Sequence, residues 1–263
     1  MSDIKSILKY FLSKLGYNLT RKRKNQSSQL ASEIKTSYSV DEFQYDTISP
    51  TANYAPWLKD REFMNTYSQV IGHTLVDIYR CFELWEIVET IDNLDKSVSF
   101  IEVGVWRGGS AAIIGKKLNL LKSDAPLYIA DTFAGVVKVS SKDATYKGGE
   151  HADTSEAIVR SLLKDKYNNY KILTGIFPEE TSKLIDINER FGFCHIDVDV
   201  YESAKDIVEW IWSKLIVGGI IVFDDYGYPT CTGITRYVNG QKNRKDRIIF
   251  YNINGHAIMV KLH

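Results

Sequence analysis

The 263-residue chain reads as a doubly wound α/β protein on a mostly parallel sheet. Three observations predict this. From Val98 onward, short β-branched or aromatic runs alternate with segments of helical periodicity. Several of these runs end in a glycine or a carboxylate, the position where strands of an open parallel sheet meet ligands. Two final apolar runs flank Asn254-Gly255, a hairpin signal. Such alternation implies right-handed βαβ units with helices covering both faces of the sheet.

The elements follow in chain order. Ile4, Ile7, Leu8, Phe11, Leu12 and Leu15 recur at helical spacing, and Arg21-Lys22-Arg23-Lys24 opens a polar stretch to about Ser49. Residues 1–49 therefore read as an amphipathic helix followed by a flexible basic and polar tail. The basic start suits peripheral contact with an anionic membrane surface, or packing on protein; both readings stand. From 50 to 95, Asp60 is a good N-cap, and Phe63, Tyr67, Ile71, Leu75, Ile78, Phe82, Trp85 and Val88 recur every three or four residues. One or two helices are expected there, acting as a lid because of their aromatic content. Arg80 lies off the apolar stripe and reads as a structural ion pair rather than a ligand contact.

Residues 96–263 form the Rossmann-like domain. Strands are expected at Val98–Val103, Leu127–Ala130, Lys171–Leu173, Phe193–Val198, Gly219–Phe223, Arg247–Tyr251 and Ala257–Lys261, seven in all, the last two as an antiparallel hairpin. Helices fall between them. One carries Ala111, Ile114 and Leu118; a second starts at a capping box of Asp153 and Glu156; a third carries Ala204, Ile207, Val208, Ile211 and Leu215; a fourth covers Gly233–Val238.

The formal net charge of +0 gives no global field for nucleic acid, so none is expected as a partner. Three widely spaced cysteines argue against a disulfide framework and for a reducing compartment. No apolar run is long enough to span a bilayer, and lysines interrupt the apolar residues of Met1–Leu15, which is no signal peptide. The expected location is cytoplasmic.

Two groups of residues carry chemistry. In Glu102-Val103-Gly104-Val105-Trp106-Arg107-Gly108-Gly109-Ser110, Gly104 permits a tight turn, Gly108 and Gly109 allow close backbone approach, and Ser110 can cap the next helix. Trp106 and Arg107 would crowd a pyrophosphate, which disfavours a nicotinamide dinucleotide. Asp131 follows the second strand, where an acidic residue commonly takes ribose hydroxyls; a turn cap is the other reading. S-adenosylmethionine, with a ribose, a sulfonium and no phosphate, fits better than NAD. Gly175, Ile176, Phe177 and Pro178 end the third strand and could wall the adenine. Asp197 and the pair Asp224-Asp225 end two strands expected to be neighbours. Three buried carboxylates there call for a cation, and magnesium prefers such oxygens.

The runs His195–Ser203 and Gly218–Gly227 resemble those of the macrocin-type sugar O-methyltransferases (the TylF, MycF and NovP group). Glu102–Ser110, Ala130–Phe133, Gly175–Glu179 and Tyr54–Trp85 are similar too, so the resemblance spans about Pro50 to Val238. It implies a sheet of class I methyltransferase type, S-adenosylmethionine and Mg²⁺ as cofactors, and a sugar or nucleotide-sugar acceptor. It further implies Asp197, Asp224 and Asp225 as metal ligands, and Glu102, Gly104, Ser110 and Asp131 along the cofactor; by their place in the glycine turn and after the second and third strands, Gly108, Thr132, Gly175 and Ile176 are expected beside it. His151 or Asp197 would be the proton acceptor. Catechol-type relatives place a lysine after the first metal aspartate; Val198–Ser203 offers none, which points away from phenols. A homo-oligomer is expected. The competing functions are a nicotinamide-dependent oxidoreductase and a non-catalytic cofactor-binding protein.

Overall fold

A computed structural model of the chain describes residues 37–49 and 51–263. The amphipathic stretch Ile4–Leu15 and the basic run Arg21–Lys24 lie outside the described residues. Within the stretch expected to be an unstructured tail, β1 (Tyr38–Val40) and β2 (Phe43–Tyr45) pair as a two-stranded sheet. Arg236 fastens this hairpin through a bidentate pair with Glu42.

The helical segment resolves into α1 (Arg61–Val70) and α2 (Ile78–Leu94). Asp60 caps α1, accepting from the Phe63 amide at 2.9 Å, and Asp77 caps α2, accepting from Tyr79 and Arg80. The segment is not a separate lid. Cys81, Leu84, Trp85, Val88 and Ile91 of α2 are fully or almost fully buried in the main core. Only Thr74, Leu75, Val76 and Arg80 of this region reach the large cavity described below. The aromatic content serves packing: Phe63 meets Tyr67, Phe82 and Trp85 at ring-centroid distances of 4.9–6.0 Å.

The main sheet has seven strands in the order β5-β4-β3-β6-β7-β9-β8. They are β3 (Ser99–Val103), β4 (Leu127–Asp131), β5 (Tyr170–Thr174), β6 (Phe191–Ile196), β7 (Leu215–Phe223), β8 (Arg247–Tyr251) and β9 (Ala257–Lys261). All neighbours are parallel except β9, which runs antiparallel to β7 and β8. The remaining helices are α3 (Gly109–Leu120), α4 (Glu156–Leu163), α5 (Tyr201–Trp212) and α6 (Thr232–Gln241). Side chains alternate across the sheet. Phe100, Phe193 and Val222 pack under α1 to α4, and Ile101, Cys194 and Phe223 pack under α5 and α6.

Three local expectations differ. β7 starts at Leu215 rather than Gly219, because a register irregularity against β6 absorbs Gly218 and Gly219 within the strand. The cap of α4 is Ser155, which accepts from Ile158, and Asp153 instead receives Trp106 Nε1 and Arg107. The cap of α3 is Gly108 in the left-handed conformation, so Ser110 lies inside the helix. All three cysteines are buried and free. Among the described residues no helix is long and apolar enough to cross a membrane.

Because α2 belongs to the core, Trp85→Ala is expected to cost about 3–5 kcal/mol in urea denaturation. A loosely docked lid would lose far less.

Candidate active site

The sheet order reverses at β3, with β4 on one side and β6 on the other, and a cleft of about 240 Å³ opens over this point. Its floor is the carboxyl ends of β3, β4, β6 and β7. Gly104 makes the first turn possible: its φ is +82°, and a Cβ there would sit 1.8 Å from the Asp197 carbonyl oxygen. The loop therefore folds directly against the end of β6.

Asp131, at the tip of β4, braces that loop. Its Oδ2 accepts from the amides of Val105 and Trp106 at 2.7 and 3.0 Å, and its Oδ1 from Phe133 at 2.7 Å. The carboxylate thus caps the turn, and with four lone-pair sites it keeps acceptor capacity on the cleft wall. Gly104, Ser110, Thr132, Gly175 and Ile176 also line the cleft.

Glu102 and Gly108 do not line it. Alternation along β3 puts Glu102 on the α2 face, where it is fully buried and its Oε1 meets His195 Nδ1 at 2.9 Å. Its Oε2 has no partner among the described residues. Gly108 faces Val159 of α4 instead.

Asp197, Asp224 and Asp225 converge as expected. β6 and β7 are parallel neighbours with Ile196 beside Phe223, so the next residues of each strand emerge side by side. One carboxylate oxygen from each lies within 4.8 Å of the others. Their surroundings differ. The Asp197 carboxylate takes no hydrogen bond from the described residues, and Asp225 Oδ2 takes one, from the Asp199 amide at 3.1 Å. Burial, then the charges of neighbouring aspartates, push both well above the usual carboxylate range. Burial would also raise Asp224. The imidazoles of His195 and His256 and the guanidinium of Arg80 outweigh it and hold Asp224 well below that range. Arg80 is thus the structural ion pair expected, but its partner belongs to the site.

The donor set suits a hard divalent cation. It offers only carboxylate oxygens, and no cationic side chain among the described residues hydrogen-bonds to Asp197 or Asp225. A second acidic group adjoins it. Asp199, in the left-handed region at φ +65°, accepts from Tyr146 Oη and lies 3.5 Å from Cys231 Sγ. Burial first, then Asp225 and Asp199, push the Cys231 thiol up, so it stays protonated. His151 lines the cleft, with Nε2 3.5 Å from Tyr146 Oη.

Tyr146, Asp199, Cys231, His195, His256 and Glu83 were not among the expected site residues. His195 was within reach: it alternates with Asp197 on one strand and so shares its face. Tyr146 comes from a long loop, and His256 and Glu83 from elements remote in sequence, where no periodicity marks them.

Burial opposes a charge on His195, yet Asp224 and Glu102 raise its pKa from 6.5 to about 9. A raised pKa stabilises the fold fully below 6.5 and loses that contribution as pH climbs through 9. Asp197 and Asp225 act in the same direction. Urea-unfolding stability in chelator is expected to fall by on the order of 1–3 kcal/mol between pH 6.5 and 9, and by less in His195→Gln.

The profile of the family described as macrocin-O-methyltransferase (TylF) matches residues 7–258. The match extends beyond Pro50–Val238 at both ends and takes in most of the N-terminal tail. The chain is 26% identical over 190 residues to the 8-demethyl-8-(2,3-dimethoxy-alpha-L-rhamnosyl)-tetracenomycin-C 4'-O-methyltransferase of Streptomyces olivaceus, covering 68% of this chain and 72% of that protein. It is 26% identical over 198 residues to the mycinamicin III 3''-O-methyltransferase of Micromonospora griseorubida, covering 68% and 75%. The solved structure of the O-methyltransferase NovP shares the fold with a TM-score of 0.65 at 23% identity, over 73% of this chain and 83% of that one. An O-methyltransferase from Bacillus cereus in complex with SAH does so with a TM-score of 0.51 at 17% identity, over 78% and 92%. The oxidoreductase reading is thereby set aside: the chain belongs to the macrocin-O-methyltransferase (TylF) family and is an O-methyltransferase.

Proposed function

We propose that the protein transfers a methyl group from S-adenosylmethionine to a sugar hydroxyl, with Mg²⁺ held by Asp197, Asp224 and Asp225. The observation that carries this reading is the convergence of those three carboxylates in the same cleft as the Gly104 turn and Asp131. The relatives support the acceptor class, since one is an O-methyltransferase of a rhamnosyl-tetracenomycin.

The chain's own residues divide the work. Asp131, Ser110, Thr132 and the Gly104 turn would bind the donor, and Gly175 and Ile176 would wall its adenine. When bound, S-adenosylmethionine supplies a methyl carbon activated by a positive sulfur. When bound, Mg²⁺ would supply a Lewis acid that acidifies and fixes neighbouring hydroxyls. Holding acceptor and donor in one orientation is worth roughly 7–11 kcal/mol in favourable cases. His151 Nε2 would accept the hydroxyl proton, with Tyr146 beside it tied to Asp199. Asp197, whose carboxylate no described residue engages, is the second acceptor.

The test is a panel of sugar acceptors with labelled donor, with and without Mg²⁺. Asp225→Ala is expected to lower turnover by about 100-fold or more while donor affinity is nearly kept. Turnover that survives both the substitution and chelation removes the metal from the reading. Donor binding without transfer to any acceptor would favour the non-catalytic protein. Because Asp197 and Asp225 sit above their usual range, Mg²⁺ uptake is expected to release more protons than uptake by ordinary carboxylates would, increasingly so as pH falls; calorimetry in buffers of different ionisation enthalpy reads this directly.

A further inference from the structure

The three converging aspartates are not equally held. Asp197 takes no hydrogen bond from the described residues and Asp225 takes a single amide. Asp224 is gripped on both oxygens: Arg80 donates to Oδ2, and His256 Nε2 meets Oδ1 at 2.9 Å. The two grips share an origin. Arg80 and Glu83 lie one turn apart on α2, and Glu83 is hydrogen-bonded to Nδ1 of His256. Arg80 is itself oriented by Asp77, which accepts from its Nε at 2.9 Å, and by Tyr228, whose ring centroid lies 4.7 Å away.

His256 arrives from the hairpin. Phe223 of β7 pairs with Ala257 of β9, so Asp224 and His256 are the next residues on adjacent antiparallel strands. Asn252 also donates to Glu83, and the His256 amide donates to Asn254 Oδ1 at 3.1 Å. The turn between β8 and β9 is thereby tied to α2. His256 is fully buried and does not line the cleft. Its ring reaches the aspartate site through Asp224, and it also packs edge-on against the ring of His195, with centroids 5.9 Å apart.

We propose that His256 is a positioning residue: clamped by Glu83, it holds the Asp224 carboxylate in one orientation for the cation shared with Asp197 and Asp225. This deepens the proposed function and rests on its metal site. Partners that orient a ligating group commonly matter about 10–100-fold for metal affinity.

The test reads metal binding rather than turnover. Free Mn²⁺ is counted by electron paramagnetic resonance with the full chain, without donor or acceptor. His256→Leu is expected to weaken Mn²⁺ binding by about 10–100-fold, with S-adenosylmethionine affinity changed less than about twofold. His256→Gln keeps an N–H near the same oxygen and is expected to recover most of the loss. Glu83→Gln weakens the clamp on His256 and keeps an amide oxygen for Asn252 and Asn254 at the partly exposed end of the chain of contacts; it is expected to fold normally and lose a smaller factor. A folded Glu83→Gln or His256→Leu protein with unchanged Mn²⁺ affinity overturns the proposal and leaves the aspartate site standing. If the unsubstituted protein takes up no Mn²⁺, the metal reading itself fails and this proposal falls with it. Stoichiometric zinc that co-purifies and is lost in His256→Leu would make His195, Asp224 and His256 a metal centre, and would also overturn it.

Discussion

Buried negative charge is the constraint on which the rest of the structure depends. Four aspartates, at positions 197, 199, 224 and 225, stand at or just beyond the ends of β6 and β7, close enough to raise the cost of one another's ionisation. Isolated carboxylates do not survive burial as charged groups without a partner. The chain resolves this unevenly. Asp224 is neutralised by the protein, through Arg80 and two histidines, while Asp197 and Asp225 are left to a proton or a cation. One carboxylate is balanced by the protein and two are not, which is the asymmetry that the proposed divalent cation would complete.

That asymmetry follows from the pleat. With a period of two, Glu102, His195 and Asp224 all fall on the face covered by α2. A second layer of polar contacts therefore adjoins the aspartate tips: Glu102 with His195, Glu83 with His256, and Arg80 with Asp224. α2 is therefore part of the core as well as a wall of the cleft. One stripe of the helix fills the core with Leu84, Trp85 and Val88, and its first turns supply the countercharge of the site. Opening it would expose both the apolar surface and the buried ion pairs at once.

The glycine turn is coupled to the same floor. Gly104 lies against the Asp197 backbone so closely that no side chain would fit, and Asp131 ties down the amides that follow. The glycine turn and the acidic floor are thus parts of one surface, as the proposed transfer between two reactants in fixed orientation would need.

Alternating periodicity was enough to place the seven strands, because buried parallel strands are dense in β-branched and aromatic residues and end where the chain turns. It also placed Asp131, Asp197, Asp224 and Asp225 at strand tips, since a carboxylate closing an apolar run is locally conspicuous. What local pattern could not supply was which groups share a layer. Asp153 and Ser110 have the residue types of helix caps, yet Asp153 is drawn away by Trp106 and Arg107, and Ser110 follows a left-handed Gly108. Glu102 looks like part of the cofactor loop in sequence and faces the opposite way in the sheet. The partners of Asp224 come from positions 80, 195 and 256, far apart in sequence, and only strand order and helix docking bring them together. The sequence by itself determined the sheet, the family and the acidic tips, because those are written in neighbouring residues. Tertiary packing alone decided which of the acids is neutralised, because that depends on charges brought in from other elements.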